Sequence, residues 1–141
     1  MSFSRILIAV DSDPVAAHAA DIGVELARSL GANVALIHVI DASPVYGADT
    51  GISPNELIAQ AEQDGKRLLA GFRVLQASAL EFVQAGTPAN EIAKAAKQWP
   101  ADLIVIGSHG RGGVQRVLLG SVAEGVMRHA SCPVLVIRAN E

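Results

Sequence analysis

The chain has one cysteine, Cys132, and few aromatics: one Trp, one Tyr and three Phe among 141 residues. A lone cysteine excludes an intrachain disulfide and fits a reducing compartment. With so few rings, any core must be built mainly from Ala, Val, Leu and Ile. Half of the residues are hydrophobic, and a chain of roughly 150 residues buries about 68–70% of the surface its unfolded form exposes. Long basic runs are also missing, and 11 Lys and Arg stand against 14 Asp and Glu, for a net charge of −3. That balance argues against a nucleic-acid partner held through phosphate neutralisation. The opening MSFSRILIAVDSD has an apolar run too short for a signal peptide, and Asp11 interrupts it. No apolar stretch approaches the ~20 residues of a membrane helix. The composition therefore predicts a soluble, cytoplasmic protein with no membrane contact, folded as one domain over residues 1–141.

What is present is an alternation of short apolar runs and helical patterns. RILIAV (5–10) reads as a strand buried on both faces. In the DSDP that follows, Asp13 is placed to cap a helix with Pro14 in its first turn. Val15, Ala19, Ile22, Leu26 and Leu30 recur at helical spacing, and Gly31 ends the pattern. NVALIHVI (33–40) reads as a second buried strand, and residues 41–52 as a loop. Ser53, Pro54 and Glu56 form a capping-box start to a helix carrying Leu57, Ala61, Leu68 and Phe72, whose end RVLQASA leaves open. LEFV (80–83) is the third strand, near an edge. Thr87 and Pro88 open a third helix with Ile92, Ala96 and Trp99 inward, closed by Pro100. DLIVIG (102–107), a glycine-rich loop, a helix over about 121–130 and PVLVIR (133–138) complete the chain.

This order predicts a single α/β domain: a doubly wound, Rossmann-like, five-stranded parallel sheet with helices on both faces. Such sheets bind ligands beyond the carboxyl ends of the strands, where strand order reverses. The first and fourth strands are the natural neighbours there. Asp11 follows the first, and Gly107 ends the fourth.

Beyond the fourth strand stands GSHGRGGVQRVLLGS (107–121), with five glycines in fifteen positions. A P-loop almost fits from Gly107 to Gly112, but Gly113 and Val114 occupy the places of Lys and Ser/Thr. A dinucleotide G-x-G-x-x-G also fails, because Gln115 stands at its third glycine. What fits is Gly107-x-x-Gly110, nine residues, then Gly120-Ser121. Glycines in such a loop let main-chain N–H groups converge into an anion-binding nest. The start of the next helix adds unpaired N–H groups and the positive end of a dipole. The plainer alternative is a tight, mobile connection.

With its context, from ILIAVDSD through AGTPANEIAKAA and DLIVIGSHGRGG to CPVLVIR, this motif resembles the nucleotide-binding branch of the universal stress protein family over essentially the whole chain. The resemblance implies ATP as ligand, with any Mg²⁺ carried by the nucleotide, since Asp11 and Asp13 make no dedicated metal site. It places Gly107, Gly110, Gly120 and Ser121 at the phosphates, and Asp11 at a ribose hydroxyl or the adenine. Helix opening is the other reading of Asp11, although Asp13 is the better cap. Val10 and Val39 suit an adenine face or the core equally. Arg111 and Arg116 suit either the phosphates or solvent, and His109 has the same two readings, with solvent preferred. Ser12, Ser108 and Val122 flank these positions and complete the candidate set.

His18, His38 and His129 lack metal-ligand spacing and read as ordinary helix or strand residues. Cys132 has no base beside it, and Ser121 has no G-x-S-x-G elbow. Phe82 and Trp99 read as core. The resemblance thus implies an ATP-binding, stress-related regulatory protein with at most slow hydrolysis. The alternatives are an ATP-using enzyme, either a slow ATPase or adenylate-forming, and a nucleotide-free dimeric scaffold. PVLVIR at a sheet edge, together with the resemblance, implies a homodimer through residues 133–138.

Overall fold

Five short apolar runs become five parallel strands in a computed structural model that describes residues 2–41, 51–72, 78–108 and 119–138. In chain order the elements are β1 (Arg5–Ala9), α1 (Pro14–Leu30), β2 (Asn33–Ile40), α2 (Pro54–Gly71), β3 (Leu80–Ala85), α3 (Pro88–Gln98), β4 (Leu103–Gly107), α4 (Ser121–His129) and β5 (Val134–Ile137). The sheet order is β3-β2-β1-β4-β5. Ala9 pairs with Ile37 of β2, and Leu7 with Ile104 of β4. The chain therefore winds one way from β1 to β3 and the other way from β4 to β5, and the reversal lies between β1 and β4. This is the α/β architecture that the alternating pattern predicts.

Helix starts follow from local chemistry. The Asp13 carboxylate accepts from the Val15 N–H at 2.9 Å, and the Ser53 hydroxyl accepts from the Glu56 N–H at 3.2 Å. Each satisfies an N–H that the first turn leaves without an intrahelical partner. Gly31 closes α1 in the left-handed region, at φ 66°, with its N–H on the last turn.

The residues of α1 nearest the sheet are smaller than the helical recurrence suggests. Ala16, Ala19, Ala20, Gly23, Val24 and Ala27 are buried, whereas Leu30 is 47% exposed and Ile22 and Leu26 are half-buried. Close approach is the reason. A Cβ on Gly23 would sit 2.7 Å from Ile8 Cδ1, so the small-residue stripe faces the sheet and the larger side chains flank it. On α2 the buried residues are Gly65 and Leu69, with Leu57, Ala61, Leu68 and Phe72 half-buried around them.

Two apolar cores sandwich the sheet. Ile6, Ile8, Val10, Val34, Leu36 and Val105 meet α1 and Leu69 of α2 on one face. Leu7, Ala35, Ile37, Ile104 and Ile106 meet α3 and α4 on the other. Trp99 is half-buried on that second face and packs edge-on against Phe82, with centroids 6.4 Å apart. At the amino ends of the strands, the Asp102 carboxylate accepts from the Ser4 and Arg5 N–H groups at 2.7 and 3.0 Å. This ties the start of β1 to the entry of β4, opposite the carboxyl-end cleft.

Candidate functional site

Where β1 and β4 end, their carboxyl ends and the starts of α3 and α4 enclose a cleft of about 110 Å³. Val10, Asp11 and Ala16 line one wall, with Ile37, His38 and Val39 of β2. Pro88 and Ile92 of α3, Ile106 and Gly107 of β4, and Val122 and Ala123 of α4 complete it. Most of this lining is apolar, and Asp11 is its one carboxylate among the described residues. Such a lining suits a flat, largely apolar group fixed by a few polar contacts.

Asp11 and Asp13 divide the work at the start of α1. Asp13 is the cap, and Asp11 Oδ1 accepts from the Asp13 N–H at 2.8 Å. That turn holds the Asp11 carboxyl in the cleft wall.

The end of β2 adds main-chain groups. The Ile37 carbonyl accepts from the Val10 N–H at 2.9 Å, and the Ile40 carbonyl from the Gly86 N–H at 2.9 Å. Alternate residues of a parallel strand turn their peptide groups to opposite neighbours. Val39 therefore faces the β1 side, as Ile37 does, but at a level where β1 has already ended. Its N–H and C=O point to the cleft side of the sheet.

Gly107 lines the cleft without the turned backbone expected of a loop glycine. It is the last residue of β4 and is not among the glycines with positive φ. A Cβ there would stand 2.7 Å from Val15 Cγ1, so glycine is needed for close packing of β4 against α1 rather than for a turned backbone. Gly120 is the N-cap of α4, in extended backbone at φ −70° and ψ 161°. Its N–H donates to the Ser108 carbonyl. That amide is thus engaged within the protein, and the N–H groups that a helix start leaves over belong to Ser121, Val122 and Ala123. Among the described residues no side chain caps them, in contrast to α1 and α2.

Ser108 lies beneath this junction, 2% exposed. Its N–H donates to the Ile137 carbonyl at 2.8 Å, while among the described residues its Oγ has no hydrogen-bond partner. Ser12 and Ser121 are exposed at the rim. His109, Gly110, Arg111 and Arg116 lie outside the described residues. Of the predicted site residues, Val10, Asp11, Val39, Gly107 and Val122 thus line one cleft, and Gly120 and Ser108 join its β4 and α4 sides.

The sequence reading did not single out His38, Pro88, Ile92 or Ala123 for the cleft. Pro88 and Ile92 carry a signal only once the strand order is known, because that order brings the start of α3 beside α4. A Cβ on Gly125 would lie 2.6 Å from the Ala89 Cβ, which measures how closely these two helices approach. His38 reads as an ordinary strand residue. The structure instead gives its ring Nδ1 a partner in the Val10 carbonyl, at 3.1 Å.

Comparisons with known proteins agree with this architecture. The sequence model of the universal stress protein family matches residues 2–138. Universal stress protein MJ0531 of Methanocaldococcus jannaschii is 35% identical, over 96% of this chain and 82% of its own length. The solved structure of the protein MJ0577 superposes with a TM-score of 0.85 at 26% identity, over 100% of this chain and 99% of that one. A universal stress protein from Archaeoglobus fulgidus, solved in complex with dAMP, superposes with a TM-score of 0.66 at 26% identity, over 97% and 99% of the two chains.

Proposed function

Since the chain belongs to the universal stress protein family, we propose that it binds an adenine nucleotide, ATP above all, in the cleft between β1 and β4 and acts as a stress-related regulatory protein. One observation carries this reading. An apolar slot and a helix start that no described side chain caps face each other across a single cleft at the reversal of strand order.

The two halves of the cleft suit the two halves of the ligand. Val10, Val39, Ile37 and Ile92 offer apolar walls to a purine ring. The Val39 peptide offers one donor and one acceptor, the complement of adenine N1 and its 6-amino group. Asp11 offers a carboxylate to a ribose hydroxyl, a charge-assisted bond. The N–H groups of Ser121, Val122 and Ala123 suit phosphate oxygens, helped by the helix dipole. The relative from Archaeoglobus fulgidus, solved with dAMP, supports an adenine nucleotide as the ligand class.

Regulation rather than fast turnover follows from the residues to hand. Neither lysine nor arginine lines the cleft among the described residues, and the sequence lacks the P-loop lysine that steadies a transferring phosphoryl group. In this reading any hydrolysis is slow. Among the described residues no group of three or more His, Cys, Asp or Glu is placed to hold a metal, so Mg²⁺ enters this reading only with the nucleotide. Bound ATP signals if it favours one conformation or one partner over another. A homodimer fits the same reading. β5 is an edge strand whose Val134, Leu135 and Val136 are only half-buried, and strand pairing between two copies would cover it.

Calorimetric titration of ATP with Mg²⁺ into nucleotide-stripped protein tests the proposal. Saturable binding, lost on Gly120→Leu with the apo fold retained by circular dichroism, is the expected result. No heat from correctly folded wild-type protein would end it. Phosphate release at ordinary enzyme rates would favour the ATPase reading instead.

A further inference from the structure

The β1–β2 ladder stops one rung short of where its register would carry it. Ala9 pairs with Ile37, and the Val10 N–H still donates to the Ile37 carbonyl. The next rung of a parallel ladder would run from the Val39 N–H to the Val10 carbonyl. Among the described residues that bond is not made. The Val10 carbonyl lies instead 3.1 Å from Nδ1 of His38, the residue just before Val39.

A carbonyl only accepts, so this contact assigns the hydrogen to Nδ1. The ring is held there from the other side by α2. A Cβ on Gly65 would come within 2.9 Å of His38 Cδ2 and 3.1 Å of Val83 Cγ1. Val83 is also the register partner of His38 on β3. Glycine at position 65 thus leaves a slot only as wide as the imidazole, between α2 and the end of β1.

We propose that His38 is a positioning residue: by taking the Val10 carbonyl it ends the ladder early and leaves the Val39 N–H free for the base of the nucleotide. This rests on the nucleotide reading for its ligand half. The ladder half concerns the protein alone. The expected consequence is selectivity for adenine. A peptide N–H donates to adenine N1, whereas hypoxanthine carries a hydrogen there and refuses it. His38 itself need not touch the ligand.

Two variants separate the chemistry from the bulk of the ring. Asn at this position can place an amide N–H near the site of Nδ1, and Leu cannot. In the apo protein, hydrogen exchange of the Val39 amide followed by NMR should be fast in wild type and in His38→Asn. It should slow at least tenfold in His38→Leu, as Val39 bonds to Val10. A wild-type Val39 amide already protected like its strand neighbours, or one unchanged in folded His38→Leu, overturns the proposal.

The ligand half is read from the ratio of ATP to ITP affinity. Wild type and His38→Asn should prefer ATP by roughly tenfold, on the order of one net hydrogen bond. His38→Leu should lower the ratio severalfold while inorganic tripolyphosphate binds as before. A folded His38→Leu that keeps the wild-type ratio overturns this half. A wild type that binds neither nucleotide overturns the functional reading instead, and amide exchange then still decides what His38 does.

Discussion

Gly107 lies so near Val15 that a Cβ on it would come within 2.7 Å of Val15 Cγ1 and 3.5 Å of the Val15 carbonyl carbon. The contact joins the last residue of β4 to the first turn of α1, on the wall of the cleft. Val15 is β-branched and has no easy alternative rotamer in a helix. Gly107→Val should therefore push α1 off the sheet and cost about 1–3 kcal/mol. A fall in Tm of roughly 3–10 °C follows for a chain of this size. ATP binding should weaken beyond what the stability loss explains, because Asp11 moves with the start of α1. An unchanged Tm in differential scanning calorimetry would show that the contact is not tight.

A second close approach sets two opposing effects against each other. Gly125 is inside α4, where alanine would be favoured by about 1 kcal/mol on propensity. Yet the new Cβ would sit 2.6 Å from the Ala89 Cβ of α3. Neither methyl has a torsion that relieves the clash, so the helices must separate, at about 1–3 kcal/mol. Gly125→Ala should be net destabilising, by up to about 2 kcal/mol. Urea unfolding of the single variants and of the Gly125→Ala, Ala89→Gly pair checks this. The pair should show a favourable coupling of at least ~0.5 kcal/mol.

Features settled within a few residues of chain were legible in the sequence, and features settled across the sheet were not. Asp13 and Ser53 could be read as caps because each oxygen serves an N–H two or three residues on. That β1 and β4 are neighbours was inferable, because a doubly wound sheet reverses its strand order there; the full order was not. On α1 the helical spacing marks residues that do meet the core, Ala19 fully and Ile22 and Leu26 in part, but not the ones nearest the sheet. Hydrophobicity favours Ile22, Leu26 and Leu30, but the distance from helix to sheet selects Ala16, Ala20 and Gly23. Gly107 was recognisable as special, yet its partner, Val15, is named only by the packing of β4 against α1. His38 carries no local signal, because its role depends on where β1 stops and on a glycine of α2. Val10, Asp11, Val39 and Val122 could be placed at the cleft because they sit at element ends, which the sequence marks well.

Cys132 offers a test by pH. Burial raises its thiol pKa first, and the nearby Asp102 carboxylate raises it further. Asp102 is held in place by the Ser4 and Arg5 amides. In the window above the ordinary thiol value, the folded state therefore holds more protons than the unfolded one. Stability from this site is complete below that value and is lost as pH rises through the folded pKa. Wild type should lose Tm more steeply across this alkaline window than Cys132→Ser. In Asp102→Asn the thiol should titrate at lower pH, yet remain above the ordinary range because burial is the larger cause. The pH dependence of the iodoacetamide alkylation rate reports both. An unshifted alkylation profile in wild type would contradict the burial argument.

Ser108 brings stability and function into opposition. Its hydroxyl is buried, and no described residue satisfies it. An unsatisfied buried polar group costs about 1–3 kcal/mol, so Ser108→Ala should raise the apo Tm by a few degrees. The main chain on either side is fixed independently, by Ile137 and by Gly120, so nothing else need change. A hydroxyl kept at such a cost, at the joint between β4 and α4, is expected to find its partner when phosphate arrives. The ATP-induced gain in Tm should then be smaller in Ser108→Ala than in wild type, even as the apo protein becomes more stable. Thermal denaturation with and without ATP·Mg²⁺ measures both quantities in one experiment. A variant that is less stable without ligand would mean that the hydroxyl is already bonded, and an unchanged ATP increment would remove it from the phosphate site.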